Sequence, residues 1–263
     1  MKTTDYSKEL KVAKKLALRA GKIMLKYFDT DQQVQLKTDN SPVTIADQLI
    51  NSMVIEGLSK EFPEDGVIGE EESTSGYGKG RKWFCDPIDG TVGYIWGTPT
   101  AMFSLALVID GEPALGVTYD PFLKRIYEGV RGRGSYCNGK RLHVSTNDLN
   151  KSTVAVTGSA RMVPKLPYIP ELTKLGAHLA SFSGAVYKSC LVAKGKFVGY
   201  IEYGVNGDDI AAVHVIVEEA GGKVTGLRGE KLDYIRPFEG GIISNGKVHG
   251  QLVELINDFP LSQ

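Results

Sequence analysis

The chain has 263 residues, of which 42% are hydrophobic and 24% charged, and this composition is typical of a soluble globular protein with a large core. Lysine plus arginine and aspartate plus glutamate number 31 each, so no net charge attracts a nucleic-acid backbone or an anionic membrane, and a small-molecule partner is expected. Three widely spaced cysteines without a CxxC pair suggest neither a disulfide framework nor a zinc site. Because the N-terminus is polar and no apolar run reaches the roughly 18 residues of a membrane span, we expect a cytoplasmic protein.

The first quarter of the chain predicts two helices followed by two strands. Residues 6–28 place apolar or small side chains at three- and four-residue spacing, which favours an amphipathic helix packed on a core over one lying on a membrane. A second helix is predicted from about Thr44 to Phe62. Short apolar runs at 67–69 and 82–85 end in acidic residues, as buried strands that deliver side chains to a site do, and the Gly- and Ser-rich segment 73–80 predicts a mobile surface loop.

The rest of the chain predicts a meander and then an alternation of strands and helices. Residues 102–127 read as strand, turn, strand, turn and strand, and 129–139 as another reversal. The proline-rich stretch 165–170 is excluded from regular helix. The later elements are a strand at 153–157, a helical stretch at 168–175, a helix at 185–193, a strand at 197–202 and a helix at 209–220. Such alternation indicates α/β layering.

The segment from Asp86 to Thr91, which directly follows an apolar run, is the most informative in the chain. Pro87 interrupts regular helix and Gly90 permits a sharp turn, so Asp86 and Asp89 can point into one small volume. Two carboxylates so close repel each other unless a cation lies between them. A helix starting near Gly90 and Thr91 would also direct free backbone N–H groups at an anion.

Other acidic residues stand at the edges of predicted elements, which separates this pattern from a simple acidic turn. They are Asp47, Glu70 to Glu72, and the pair Asp208 and Asp209. The ligands on offer are oxygen atoms, which hard cations such as Mg²⁺ prefer, whereas zinc would favour histidine or cysteine.

These segments together resemble the signature set of the inositol monophosphatase family. The resemblance extends from the first helix to about Ser244. Its motifs are Ser41-Pro42-Val43-Thr44 with Ala46-Asp47, Gly69-Glu70-Glu71, Asp86-Pro87-Ile88-Asp89-Gly90-Thr91, Asn138-Gly139, Val144-Ser145, Asp209-Ile210-Ala211-Ala212 and Glu219-Ala220-Gly221-Gly222. The resemblance implies an α/β fold, a layered αβαβα sandwich of the inositol monophosphatase and fructose-1,6-bisphosphatase type. It also implies an N-terminal subdomain, 1–145, with most metal ligands and a C-terminal subdomain, 146–263.

The resemblance further implies a site for two or three Mg²⁺ ions, for which Mn²⁺ can substitute. Glu70, Asp86 and the carbonyl of Ile88 would hold the first ion. Asp86, Asp89 and Asp209 would hold the second, and Glu70 would help a third, weaker ion through water. Such a cation pair activates water and neutralises charge on the phosphoryl group and the leaving oxygen, so that no covalent phosphoenzyme is needed.

Residues outside the ligand set receive roles from the same resemblance. Thr91 and Asp47 would orient the attacking water, with Glu70 as a further catalytic residue, while Asp89, Gly90 and Thr91 would surround the phosphate. A helix N-cap is the alternative role for Thr91. The family commonly has tryptophan where this chain has Asp208, which leaves open whether Asp208 or Asp209 faces the metal; the ten-residue step to Glu219 favours Asp209.

The resemblance also implies substrate recognition by Glu202 and by the neighbouring segment Ser183, Gly184 and Ala185. Glu202 ends an apolar run seven residues before Asp209, so a strand and a turn could bring it to the mouth of the site. A carboxylate there can accept hydrogen bonds from an inositol hydroxyl or pair with the ammonium group of histidinol phosphate, while repelling a second phosphate. A solvated glutamate at a strand end is the alternative.

The function expected from the resemblance is Mg²⁺-dependent hydrolysis of a small phosphomonoester, with myo-inositol 1-phosphate first and histidinol phosphate next. Fructose 1,6-bisphosphate, NADP and nucleotide phosphates are further substrates of similar proteins. The resemblance also implies lithium sensitivity and a homodimer, with no nucleic-acid or membrane partner. A function of another class is a regulatory partner in an RNA-polymerase or ribosome-associated assembly, which the intact acidic residues and the even charge balance disfavour.

Overall fold

The computed structural model describes residues 5–38, 40–74, 80–158, 163 and 166–258. Within these residues the chain builds five layers: two helices, a seven-stranded sheet, two helices, a five-stranded sheet and two outer helices. Each layer buries one face or stripe against the next, which is how a helix or sheet satisfies its apolar surface. The predicted αβαβα sandwich is confirmed.

The seven-stranded sheet keeps its strands in chain order. They are β3 (Gly66–Gly69), β4 (Arg81–Asp89), β5 (Met102–Ile109), β6 (Glu112–Asp120), β7 (Arg125–Val130), β8 (Gly134–Cys137) and β9 (Lys140–Arg141). All neighbours are antiparallel except β3 and β4. Two long helices, α1 (Ser7–Tyr27) and α2 (Ile45–Glu61), cover the outer face. A short ribbon of β1 (Gln35–Leu36) and β2 (Pro42–Val43) joins them.

Strand β5 shows why this sheet lies between two layers of helices. Its residues Phe103, Leu105 and Leu107 belong to the core shared with α1 and α2. The alternate residues Met102, Ala106 and Val108 belong to the core on the opposite face. Successive side chains of a strand point to opposite faces, so a continuous apolar run is what a strand covered on both sides requires.

The five-stranded sheet has the order β11, β10, β12, β14, β13. Its strands are β10 (Thr153–Val156), β11 (His178–Ser181), β12 (Gly199–Tyr203), β13 (Lys223–Thr225) and β14 (Gly240–Ser244). Strand β10 is parallel to β11 and β12, whereas β14 is antiparallel to β12 and β13. On its outer face lie α4 (Ile169–Lys174) and α7 (His249–Asp258).

The layer between the sheets consists of α5 (Ala185–Ala193) and α6 (Gly207–Glu219). Helix α6 is buried on nearly every side, from Ile210 to Val217. It lies directly on β6, where a Cβ at Gly116 would stand only 2.2 Å from the carbonyl oxygen of Ala212. Glycine therefore permits the close approach that fixes the height of α6 above the sheet.

The elements predicted from periodicity agree with the structure for the two long helices, the meander, β10, α5, β12 and α6. Helix α4 confirms the helical stretch predicted at 168–175. It nevertheless begins at Ile169, inside the stretch excluded from regular helix, because Pro170 falls in its first turn, where a missing N–H costs no hydrogen bond. The structure adds β11, β13, β14 and α7, which the sequence analysis did not predict. Residues 75–79 of the predicted mobile loop lie outside the described residues.

The division at residue 145 stays a prediction. The two sheets do fall on either side of it, but α6 packs on both of them. Among the described helices, none combines the length and the apolar character needed to cross a bilayer. Cys85, Cys137 and Cys190 are all free thiols.

Candidate functional site

An irregularity in β4 brings Asp86 and Asp89 to the same face of the sheet. Asp86 pairs with Ser104 of β5 and Asp89 with Met102, so β4 has one more residue than β5 over this step. In a regular strand a three-residue step would place the two side chains on opposite faces. The extra residue is a β-bulge, and it directs both carboxylates toward the layer of α5 and α6.

Asp209 completes a cluster of three carboxylates. One oxygen from each of Asp86, Asp89 and Asp209 lies within 4.8 Å of the others. Asp209 is in the first turn of α6, where its Oδ2 accepts the N–H of Asn206 at 2.6 Å and closes a capping box. Asp89 accepts the N–H groups of Ala185 at 2.8 Å and Val186 at 2.9 Å, at the start of α5. Asp209 and Asp89 are thus each held at the N-terminus of a helix, α6 and α5 respectively, and helix N-termini favour negative charge.

Burial and mutual repulsion oppose the ionisation of this cluster. Burial raises the pKa of Asp86 well above its ordinary value, and the charges of Glu70, Asp89, Asp209 and Asp208 raise it further. Burial, with Asp208 next, also raises the pKa of Asp209 strongly, and burial raises that of Asp89 to about 7. A cation among these oxygens would reverse the effect because it favours the charged form. The cluster contains oxygen donors without histidine or cysteine, which suits a hard cation such as Mg²⁺.

Asp47 is held by the cap of α2, on the side of the site where Glu70 and Glu71 lie. Its Oδ2 accepts the N–H of Thr44 at 2.8 Å and the Thr44 hydroxyl at 2.6 Å. Its Oδ1 is buried without a partner among the described residues. Burial raises the Asp47 pKa to about 7, and the charges of Glu71 and Glu70 add to the rise. A buried oxygen without a partner is costly, so this atom is positioned to bind a ligand such as water.

Glu70 follows β3 at the edge of the site, but its carboxylate lies outside the three-aspartate cluster. Its Oε1 accepts a hydrogen bond from Lys37 Nζ at 2.7 Å, and the same ammonium group lies 2.6 Å from Oε1 of Glu71. Lys37 therefore neutralises part of the acidic charge on this side of the site. The sequence analysis did not single out Lys37, which stands in no recognisable motif.

The structure distinguishes Asp208 from Asp209. Asp209 belongs to the carboxylate cluster, as the sequence analysis favoured, and Asp208 does not. The Asp208 side chain is buried, and its pKa is raised to about 6 by burial first, with Glu70 adding to the rise and Lys37 opposing it. Its backbone carbonyl accepts the Ser104 hydroxyl at 3.4 Å. Asp208 thus lies on the side of the site where Glu70 and Lys37 meet.

The predicted phosphate-binding turn is the start of α3 (Thr91–Ile95). Gly90, and not Thr91, is the N-cap, with a φ of 86°. Thr91 Oγ1 donates to the carbonyl oxygen of Ile88 at 3.0 Å. The leading N–H groups of a helix have no partner within it, so those of this turn can bind an anion beside Asp89.

A cleft of about 800 Å³ adjoins this turn. Ser183, Gly184, Ala185 and Glu202 all line it together with Asp209, as the sequence analysis required. The exposed ring of Trp96 stands at its rim. The structure therefore brings the predicted substrate-binding residues and the carboxylate cluster to one place. Their individual roles stay predictions.

Glu202 is not the solvated strand-end glutamate that was the alternative to a substrate-binding residue. It is only 6% exposed, and its Oε2 accepts a hydrogen bond from Lys188 Nζ at 3.1 Å and another from the Tyr200 hydroxyl. The sequence analysis missed Lys188. The signal was present, because Lys188 is the one charged residue within the apolar helix Ala185–Ala193.

Comparison with known proteins agrees with this geometry. The model of the inositol monophosphatase family matches residues 5–260. The chain is 36% identical over 253 residues to a histidinol-phosphatase of Chlorobaculum parvum, covering 95% of this chain and 97% of that protein. It is 33% identical over 228 residues to the Nus factor SuhB of Pasteurella multocida, covering 84% and 85%. The solved structure of an IMPase from Thermotoga maritima superposes with a TM-score of 0.87 at 29% identity, covering 95% and 97%.

Proposed function

The chain belongs to the inositol monophosphatase family of metal-dependent phosphoric monoester hydrolases, and we propose that it hydrolyses a small phosphomonoester with Mg²⁺, with myo-inositol 1-phosphate as the preferred substrate. The observation that carries the proposal is the cluster of buried Asp86 and Asp89 with the partly buried Asp209, beside a cleft and a helix N-terminus. Carboxylates forced together at this depth require positive charge, which a hard cation supplies.

In this proposal, Glu70, Asp86 and the Ile88 carbonyl would hold one ion, and Asp86, Asp89 and Asp209 would hold another, with a third, weaker position near Glu70. Bound ions of this kind lower the pKa of water and stabilise the charge on phosphoryl and leaving oxygens. Lys37 now pairs with Glu70, so it would have to move aside or share that carboxylate with a cation.

The chain's own residues then orient the reacting groups. The Asp47 carboxylate, fixed through Oδ2 by Thr44, would present Oδ1 to the attacking water. The Thr91 hydroxyl, which donates to the carbonyl oxygen of Ile88, would orient the same water. The N–H groups of Gly90 and Thr91 bind the phosphate oxygens next to Asp89, and the leaving group lies in the cleft toward Ala185 and Glu202.

Histidinol phosphate is the second substrate candidate, because a relative of 36% identity is a histidinol-phosphatase. Fructose 1,6-bisphosphate and NADP rank below it. A regulatory partner role has the Nus factor SuhB relative in its favour. The three clustered aspartates support the enzyme, because a protein that acts only as a partner has no need of them. A cytoplasmic location and a homodimer also remain part of the proposal.

The decisive experiment measures phosphate release from inositol, histidinol, sugar and nucleotide phosphates with Mg²⁺, with Mn²⁺ and after exhaustive EDTA treatment. We expect activity with either ion and none in EDTA. Asp89→Asn should lower kcat by at least about 10²-fold, the scale of losing a main electrostatic element, and should weaken the stabilisation by Mg²⁺ in thermal melts. The surface variant Asp148→Asn is the control. Full activity after EDTA treatment would refute the proposal.

A further inference from the structure

The floor of the cleft contains a buried ion pair. Lys188 and Glu202 both line the cleft, yet their side chains are only 1% and 8% exposed. Lys188 lies on α5, within one turn of Ala185 and Val186, whose N–H groups hold Asp89. Glu202 lies on β12, and Lys188 crosses to it from the helix. The pair therefore lies in the part of the cleft that the leaving group of a bound phosphomonoester would occupy.

The ammonium group of Lys188 is fully surrounded by the protein. It donates to Glu202 Oε2 at 3.1 Å and to the carbonyl oxygen of Val156 at 3.2 Å. It also lies 4.5 Å from the centroid of the Tyr200 ring, and the hydroxyl of that ring donates to the same Glu202 oxygen. Lys188 thus has carboxylate, carbonyl and aromatic partners, which a buried ammonium group needs to stay charged.

The pair makes the cleft floor electrically neutral while keeping it polar. Among the residues that the structure describes, the hydrogen bonds to the Glu202 carboxylate both end on Oε2, and Oε1 is the oxygen that a ligand hydroxyl would use. A ligand ammonium could use Glu202 only by competing with Lys188, and the displaced lysine would be buried without its counter-ion. A ligand carboxylate could use Lys188 only by leaving Glu202 unpaired. In either case one member of the buried pair is left as an unpaired charge, which costs free energy. A ligand with neutral hydroxyls leaves the pair intact and avoids this cost.

We propose that Lys188 is a specificity-determining residue that cancels the charge of Glu202 and makes this cleft select phosphates of uncharged polyhydroxyl leaving groups over ammonium-bearing and carboxylate-bearing ones. The inference rests on the proposed phosphatase function and narrows its substrate class. It places histidinol phosphate behind inositol phosphates, because the glutamate that could pair with its ammonium group is already paired.

Three matched phosphomonoesters test the inference. Glycerol 3-phosphate carries two neutral hydroxyls, 2-amino-3-hydroxypropyl phosphate replaces one of them with ammonium, and 3-phosphoglycerate replaces one terminal carbinol with carboxylate. For the wild-type protein we expect kcat/KM for glycerol 3-phosphate to exceed that of both charged analogues by at least about tenfold, the scale at which a polar site rejects a mismatched group.

The variants should move the preference in opposite directions. Lys188→Met exposes the charge of Glu202 and should shift the ammonium-to-neutral ratio of kcat/KM upward by about tenfold or more. Glu202→Gln leaves Lys188 unpaired and should shift the carboxylate-to-neutral ratio upward on the same scale. The double variant Lys188→Met/Glu202→Gln carries neither charge and should remove both shifts; it also stays testable if one single variant fails to fold. Lys174→Met, which breaks an exposed lysine–glutamate pair with Glu171, is the matched control and should change no ratio.

The outcomes separate this inference from the function on which it rests. A wild-type protein that hydrolyses none of the three esters, nor any other with Mg²⁺, would overturn both. A wild-type protein that hydrolyses the ammonium analogue as well as glycerol 3-phosphate would overturn the inference alone. Equal losses on all three esters in Lys188→Met and in Glu202→Gln would show that the pair supports the fold and does not select the leaving group.

Discussion

The backbone N–H of Ala185 donates a hydrogen bond of 2.8 Å to Oδ1 of Asp89, and this bond joins the first helix between the sheets to the strand that carries two of the clustered aspartates. Together with the bond from the N–H of Val186 to Oδ2, it ties the position of the cleft floor to the orientation of the Asp89 carboxylate. Any change that separates α5 from β4 should affect both binding of a cation and placement of the leaving group.

Gly184 protects this contact, and its replacement should disturb it. A Cβ at Gly184 would lie 3.2 Å from Asp89 Oδ2 and 3.0 Å from the Thr100 carbonyl oxygen, and its φ is +102°. Gly184→Ala should lower kcat/KM by about tenfold or more because the Asp89 carboxylate must shift.

Gly139→Ala is the matched control, since φ there is +76° and a Cβ at that position would have no neighbour within 4 Å. Both variants should lose about 1 kcal/mol of stability from backbone strain, but only Gly184→Ala should lose activity. Equal activity in the two would contradict this reading.

Asp86 should destabilise the metal-free protein and stabilise the metal-bound one. Its pKa is raised by burial and by neighbouring carboxylates. At pH values above the ordinary pKa of 3.8, Asp86 therefore keeps its proton in the folded protein but releases it in the unfolded chain. In EDTA, stability should consequently fall as pH rises above about 4. Asp86→Asn should reduce that fall and raise Tm in EDTA at neutral pH, yet abolish most of the Mg²⁺-induced rise in Tm.

Thermal melts from pH 4 to 8, with EDTA and with Mg²⁺, measure this effect. Asp148→Asn, at an exposed aspartate paired with Lys247, should leave both profiles unchanged. A drop in Tm for Asp86→Asn in EDTA at neutral pH would mean that the carboxylate is stabilised by contacts other than a cation.

The cap of α2 should couple helix stability to catalysis. Thr44→Val removes the hydroxyl that bonds Asp47 Oδ2 at 2.6 Å and leaves only the N–H bond at 2.8 Å. We expect a loss of about 1 kcal/mol in urea unfolding, typical of a lost N-cap, and a lower kcat because the Asp47 carboxylate is less firmly oriented. Thr173→Val removes an exposed hydroxyl that bonds the Ile169 carbonyl, and it should leave kcat unchanged. An unchanged kcat in Thr44→Val would remove the proposed role of Asp47.

His249 should make the protein sensitive to mild acid. Its ring lies between the hydroxyls of Ser244 and Thr225 at 2.8 and 2.9 Å. Burial, with Lys223 adding to it, lowers its pKa from 6.5 to about 4. The unfolded chain thus takes up a proton first, so the contribution of His249 is complete above about pH 6.5 and is lost as pH falls toward 4. His249→Gln should flatten the Tm profile in that window, whereas His178→Gln, at an exposed position, should not.

Lithium should inhibit the enzyme, since the weak, hydrated third ion position proposed beside Glu70 would be the natural place for a small monovalent cation. The Glu70 side chain is 30% exposed and its carboxylate accepts a hydrogen bond from Lys37, so an ion bound there would be held less firmly than one among the three aspartates. Initial rates at fixed Mg²⁺ with increasing Li⁺ or K⁺ test this point. Inhibition by Li⁺ but not by K⁺ is expected, and indifference to Li⁺ at high millimolar concentration would count against a third ion position.

The sequence predicted those parts of the molecule whose signals are local. The amphipathic period of α1, the turns of the meander and the acidic segment ending β4 were all readable because each depends on neighbours in the chain. Strands β13 and β14 were not predicted, because β14 is stabilised by hydrogen bonds to β12 and β13, which lie elsewhere in the sequence. The β-bulge between Asp86 and Asp89 and the contact of Lys188 with Glu202 likewise depend on partners distant in sequence.

Helix α6 has a consequence for the order in which the protein matures during synthesis. Asp47, Glu70, Asp86 and Asp89 all leave the ribosome well before Asp209, which lies on a helix buried between the two sheets. That helix cannot settle until apolar surface from both sheets is available to cover it. A nascent chain that ends before Asp209 lacks one of the three clustered carboxylates, and the cluster takes its final geometry only when both sheets have closed around α6.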